Sequence, residues 1–177
     1  MSPEIRIREM EIDDLPPVYA LGEKLFVARS FPTLYRTWDE YDVVDLFSSD
    51  GETCLVAEQE ERLVGFVLGS VIAKRKGAWT YGYLEWIGVA PDLARRGVGR
   101  RLFRALLDRF IDRGVRMIIL DTEKDNDAAI AFFNGLGFGE ERLHVYMSLN
   151  LTRHPDYVRR RQRDGHGHGT NGQERSR

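Results

Sequence analysis

The stretch from Tyr81 to Phe110, YGYLEWIGVAPDLARRGVGRRLFRALLDRF, constrains this chain more than any other. Tyr83 to Val89 is rich in aromatic and β-branched residues, which suit a pleated strand. Ala90, Pro91 and Asp92 end that strand, because proline cannot donate to a ladder and presets a turn. Val98, Leu102, Ala105, Leu106 and Phe110 then recur at helical spacing and form one apolar stripe. Between strand and helix lies Arg95-Arg96-Gly97-Val98-Gly99-Arg100. Its glycines lack a Cβ, so a ligand can come close to the main chain. The first turn of the helix leaves amides unpaired at the positive end of its dipole. With three arginines around it, this is an anion cradle, most naturally one for a phosphate or pyrophosphate.

A solvated basic turn is the plain alternative. Two familiar phosphate loops are excluded. The dinucleotide fingerprint needs a third glycine where Leu102 stands. A Walker loop needs a Gly-Lys-Ser/Thr ending, which is absent. The cradle therefore belongs to another phosphate-bearing ligand.

The surrounding chain reads as alternating strands and helices, an α/β fold around a mixed sheet. Ile5 and Ile7 alternate with charged residues as in a half-buried strand. Asp13 or Asp14 caps a first helix through Val18, Leu21 and Leu25, and Pro16 is tolerated in its first turn. Thr37-Trp38-Asp39-Glu40 has capping-box spacing ahead of a second helix through Phe47. The acids of that helix read as dipole partners on a solvated face, with recruitment of a cationic acceptor as the sharper alternative. Thr53 to Glu58 and Leu63 to Ala73 predict a hairpin. Lys74-Arg75-Lys76-Gly77 predicts a solvated basic turn, with contact to an acidic partner as the alternative. Met117 to Thr122 is a short strand, Asn126 to Leu136 a helix that Gly137 stops, and Leu143 to Leu151 a closing strand.

A chain of 177 residues fits one domain with a sizeable core. A formal charge of −2 argues against generic nucleic-acid binding. The single cysteine excludes an internal disulfide and fits a cytoplasmic protein. Cys54 reads as a buried strand residue rather than a nucleophile. No apolar run is long enough to span a bilayer. His144 and His154 have no partners at ligand spacing, so no metal is expected.

Two motifs carry a family resemblance. Ile87-Gly88-Val89 followed by Ala94-Arg95-Arg96-Gly97-Val98-Gly99 resembles the Gln/Arg-x-x-Gly-x-Gly/Ala turn of GNAT acetyl-CoA-dependent N-acetyltransferases. Asn126-Asp127-Ala128-Ala129-Ile130-Ala131-Phe132-Phe133-Asn134-Gly135-Leu136-Gly137-Phe138 resembles the family's later Asn-x-x-Ala block. Ala94 departs from the usual Gln or Arg, and Phe133 stands where the family often has a tyrosine that protonates the leaving thiolate. The resemblance implies a mixed, mostly antiparallel sheet with helices on both faces, and acetyl-CoA as cosubstrate in the cleft between splayed central strands. It implies donor contacts from Ile87, Gly88, Val89, Arg95, Arg96, Gly97, Val98, Gly99, Arg100, Asn126 and Phe133. Gly88 is expected to mark the strand bulge, and the amide of Val89 to polarise the acetyl carbonyl. The two N-terminal helices wall the acceptor site in such enzymes, so Phe31, Tyr35 and Trp38 are candidates to touch the acceptor, with core packing the equal alternative.

The acceptor would be an amine, on a small molecule or a peptide. Alkyl amines have pKa values of about 10, so a base must take a proton. Glu85 is the first candidate, on the face of Tyr83, Ile87 and Val89 by the two-residue period. Tyr83-Leu84-Glu85 resembles the Tyr-Leu-Glu of polyamine acetyltransferases. Asp121 is the second, resembling the acidic position of ribosomal-protein N-terminal acetyltransferases. Either could instead be a structural partner of nearby arginines. Tyr81, Tyr83, Tyr146 or water could stand in for the hydroxyl that Phe133 lacks.

Residues 1–151 thus form the expected catalytic domain, as monomer or homodimer. Residues 152–177 form a basic, glycine- and histidine-containing tail expected to lack structure, because its few apolar residues cannot offset its ordering entropy. Contact of Arg159-Arg160-Arg161 with an acidic surface or RNA, and loose metal binding by His166 and His168, are alternatives to a solvated tail. A CoA-binding regulatory domain without turnover is the runner-up to an enzyme, and a basic-tailed interaction module is third.

Overall fold

The computed structural model describes residues 4–26, 37–73, 79–145 and 147–165, which divide into two compact units after Gly139. The basic turn at Lys74–Gly77, the aromatics Phe31 and Tyr35, Tyr146, and the His166/His168 pair lie outside the described residues.

The first unit holds β1 (Arg6–Glu9), α1 (Leu15–Leu25), α2 (Glu40–Asp50), β2 (Cys54–Gln59), β3 (Arg62–Ala73), β4 (Thr80–Val89), α3 (Val98–Asp112), β5 (Met117–Ile119) and α4 (Asp127–Asn134). The five strands form one sheet in the order β1-β2-β3-β4-β5. The first three pairings are antiparallel; β4 and β5 are parallel because α3 carries the chain back across the sheet between them. This is the mixed, mostly antiparallel sheet expected.

Helices cover both faces, and two glycines locate them. A Cβ on Gly69 of β3 would lie 2.8 Å from Phe110 of α3. A Cβ on Gly88 of β4 would lie 2.7 Å from Leu25 of α1. The core between sheet and helices is built on fully buried Phe66, Phe110, Leu55, Leu68, Leu102 and Leu106.

The cap of α2 is Asp39 rather than Thr37. The Asp39 carboxylate accepts from the Tyr41 amide at 2.7 Å, so the acid nearest the helix takes the orphan donor. Trp38 is core, not surface. It is buried, donates its indole N–H to the Tyr19 carbonyl at 3.0 Å, and packs against Phe26, Phe66 and Trp86.

In the second unit, the expected closing strand does not form: no described residue of 141–150 belongs to a ladder. Part of the tail expected to lack structure is helical among the described residues. Pro155–Gly165 is a helix, α5. Its proline sits at the start, where no N–H is needed, Asp156 occupies the first turn and pairs with Arg159, and the arginines that follow are good helix formers. The charged composition that argued for disorder is equally the composition of a solvated helix.

Candidate active site

The site is assembled where β4 ends and α3 begins. Gly97 is the N-cap of α3 and adopts φ 82°, a left-handed conformation that favours glycine. Having no side chain, it leaves the first-turn amides of Val98, Gly99 and Arg100 uncapped, and the first helical bond runs from Arg101 N to Gly97 O at 3.0 Å. Arg95, at φ 61°, is also left-handed and turns the chain into the helix. Arg95, Arg96 and Arg100 are exposed around the turn. Arg100 donates to the Gly135 carbonyl at 3.2 Å, tying the cradle to the end of α4.

Gly99 is the close-approach position. A Cβ there would lie 3.2 Å from the Phe132 ring and 3.6 Å from Val89 Cγ2. The cradle, the end of β4 and α4 therefore meet at one point. Phe132 is the aromatic at this junction, and sequence reasoning missed it. Phe133 is instead buried, edge-on to Phe132 and Phe138. Asn126 caps α4, accepting from the Ala129 amide at 3.2 Å and donating to Thr122 Oγ1 at 3.2 Å.

The edge of β4 carries the second half of the site. Val89 faces Gly65 across β3, and the ladder bond flanking that pair runs from Ala90 N to Val64 O at 2.8 Å. Gly65–Val89 is thus a non-hydrogen-bonded pair, and so is Val67–Ile87 two residues back. The amides of Ile87 and Val89 point away from β3. On that side β5 pairs only with Tyr81 to Tyr83, so its ladder stops before it reaches them.

The bulge lies at Glu85, not at Gly88. Leu68 faces Trp86 and the next residue, Gly69, faces Leu84, which leaves Glu85 as the extra residue in β4. Gly88 sits in regular register with Phe66, and its missing Cβ admits Leu25. The extra residue also breaks the two-residue period. Gly82 packs against Phe110 on the α3 face, yet Gly88 packs against Leu25 on the opposite face. Tyr83 therefore does not share the face of Ile87 and Val89, as simple alternation predicted. The Glu85 carboxylate accepts from Ser70 Oγ at 2.7 Å, on the Tyr83 side. Asp121 is exposed two residues beyond β5.

The chain matches the Acetyltransferase (GNAT) family over residues 18–138, well over half its length. It belongs to that family. This GNAT acetyltransferase is 31% identical over 136 residues to the [Ribosomal protein bS18]-alanine N-acetyltransferase of Escherichia coli K12, covering 76% of this chain and 80% of that one. It is 33% identical over 96 residues to N-alpha-acetyltransferase 30 of Schizosaccharomyces pombe, covering 54% of this chain and 63% of the relative. Among solved structures it is similar to the aminoglycoside N-acetyltransferase AAC(6')-Iy in complex with CoA, with TM-score 0.67, 23% identity, and coverage of 85% and 98% of the two chains. The crystal structure of the E. coli ribosomal-protein-S18-alanine N-acetyltransferase gives TM-score 0.60 at 28% identity, covering 78% of this chain and 80% of that chain. The chain is accordingly an acyltransferase of the GNAT fold.

Two further features bear on the chemistry of this GNAT protein. Cys54 is fully buried, and burial pushes its thiol up to about 12, so it is no nucleophile at neutral pH. Among the described residues no group of three or more His, Cys, Asp or Glu side chains could hold a metal ion, and no helix is long and apolar enough to cross a membrane.

Proposed function

We propose that this chain moves an acetyl group from acetyl-CoA to a primary amine by direct attack, with the pyrophosphate on the α3 cradle and the thioester against the open edge of β4. One observation carries this reading: Val89, whose amide points away from β3, lies beside Gly99 in the uncapped first turn of α3, where a Cβ would come within 3.6 Å of it. Main-chain donors fixed in this way suit a pyrophosphate at one end and a developing oxyanion at the other. Arg95, Arg96 and Arg100 add positive potential for the donor's phosphates.

Acetyl-CoA supplies the acetyl group as a thioester. The Val89 amide donates to the carbonyl oxygen. Glu85 takes a proton from the incoming amine through water, and Ser70 holds the carboxylate in place. The nitrogen bonds to the acetyl carbon as the carbon–sulfur bond breaks and the pair leaves on sulfur. Phe133 has no proton to give, and with a thiol pKa of about 8.5 the thiolate departs without one from that position. The activities for which the two relatives above are named put a polypeptide α-amine first among acceptors to try, ahead of polyamines and aminoglycosides.

The test is amine-dependent consumption of acetyl-CoA over a panel of N-terminal peptides, polyamines and aminoglycosides, with the product identified by mass. Acetylation of at least one amine is expected. Tight CoA binding with no amine-dependent turnover would favour a regulatory CoA-binding domain, the reading that Ala94 and Phe133 motivate. The cradle is tested separately. Gly99→Trp would drive a side chain into Phe132 and Val89, and calorimetry should show acetyl-CoA affinity reduced at least about tenfold with the fold retained. Unchanged affinity in the folded variant removes the cradle from the mechanism.

A further inference from the structure

We propose that α5 binds single-stranded RNA, holding phosphates with Arg159, Arg160 and Arg163 and stacking an unpaired base on Tyr157 beside Arg161. The formal charge of −2 is a sum of unlike parts. Residues 152–163 contain five arginines and one acid, so the other 165 residues together carry −6. Basic charge segregated in this way suits a polyanionic partner, even in a chain that is acidic overall.

α5 offers its arginines to solvent. Every side chain from Asp156 to Arg163 is exposed. Asp156 pairs with Arg159. Among the described residues, Arg160 and Arg163 have no carboxylate partner. They are three positions apart and therefore neighbours on the helix surface. At 100° per residue, Arg159, Arg160 and Arg161 step around roughly 200° of the helix. A flat acidic protein surface can meet only one side of such a helix, whereas a flexible strand of phosphates can wrap across several. A membrane surface fits worse still, because a helix lying among headgroups needs an apolar face. Residues 156–163 provide only Tyr157 and Val158 for one.

Tyr157 supplies the contact for a base. It is 36% exposed, the Arg161 guanidinium lies 5.7 Å from its ring centroid, and Arg161 Nε donates to its hydroxyl at 3.3 Å. Aromatic rings and guanidinium planes are the side-chain surfaces on which unpaired bases stack. Bases inside a duplex are already stacked and offer no free face. Unpaired bases are the ordinary state of RNA loops and single strands, so single-stranded RNA fits this helix. RNA binding by α5 is independent of whether the α3 cradle binds acetyl-CoA.

The test is fluorescence anisotropy of a labelled, unstructured RNA of about 20 nucleotides titrated with the full chain, with an expected Kd of about 1–100 μM at low salt. Affinity should fall with salt at a log–log slope of roughly −2 to −3, for three or four phosphates on a single strand. Arg160→Gln/Arg163→Gln keeps good helix formers, and should lower affinity at least about tenfold and flatten the slope by roughly 1.4. Arg160→Lys/Arg163→Lys keeps the charge and should bind within about threefold of wild type. Tyr157→Leu should weaken binding at least about fivefold with the slope unchanged. Saturating CoA, which would fill the α3 cradle, should leave RNA binding in place. The salt slope and Tyr157→Leu decide the matter if the glutamine variant loses its helix. Absence of binding, wild-type affinity in the folded glutamine or leucine variant, or displacement of RNA by CoA would each overturn the proposal. So would tighter association with polyglutamate, phosphatidylglycerol vesicles, duplex RNA or the matching DNA strand.

Discussion

The two halves of β4 make the instructive contrast. Its first half, Thr80 to Tyr83, is held on both edges, by β3 and by β5. Its second half, Glu85 to Val89, is held in a ladder by β3 alone. Each half contains a glycine wedged against a hydrophobic side chain, Gly82 under Phe110 and Gly88 under Leu25. What differs is where the unshared backbone points. The doubly paired half spends its hydrogen bonds on the sheet, while the other half keeps alternate amides available. A single extra residue, Glu85, divides the two and turns a carboxylate toward Ser70. Ending β5 early thus leaves one edge of the second half of β4 without a ladder neighbour.

This contrast can be broken by substitution, and the largest effect should come from the dividing residue. Glu85→Gln should lower turnover by roughly two to four orders of magnitude, the usual share of general base catalysis, and leave acetyl-CoA affinity unchanged. Raising the pH should restore part of the rate, because the amine then arrives neutral. Steady-state kinetics across pH, with Asp121→Asn in parallel, checks this. Wild-type turnover in Glu85→Gln, with collapse in a folded Asp121→Asn, would move the base to the end of β5.

The doubly paired half should answer in stability instead. Gly82→Ala places a Cβ within 2.9 Å of the fully buried Phe110 ring, so the core must shift. The expected cost is about 1–3 kcal/mol in chemical denaturation, with turnover per folded molecule preserved. A loss of turnover without loss of stability would show that both halves serve the reaction. The smallest effect belongs to Ser70→Ala, which removes the hydroxyl that steadies the Glu85 carboxylate. Turnover should fall roughly three- to twelvefold, the equivalent of about 0.5–1.5 kcal/mol for one hydrogen bond, with the pH profile displaced. An unchanged rate and profile would mean that Ser70 only fills space.

Much of this was legible in the residues. The strand, the turn and the stripe from Val98 to Phe110 have three different periodicities in the required order, and each appears where the sequence puts it. The bulge was not legible. An extra residue changes no composition, and only the facing strand reveals that Glu85 has no counterpart. For the same reason alternation assigned Tyr83 to the wrong face. Phe132 and Phe133 are adjacent and chemically identical, so which ring meets the cradle depends on how α4 is seated. Thr37 and Asp39 could both cap a helix two residues apart, and the structure uses Asp39, with Trp38 between them buried. In 143–151 the alternation was read, but a strand needs a ladder partner, and no described residue there has one.

The burial of Cys54 has a practical consequence. It is the chain's sole cysteine, it is fully buried, and its proton is held to about pH 12. A colour reagent for sulfhydryls added to the folded native protein will therefore read released CoA with almost no contribution from the protein itself. A signal that grows with protein concentration alone would report unfolding, so one cuvette can follow catalysis and integrity together.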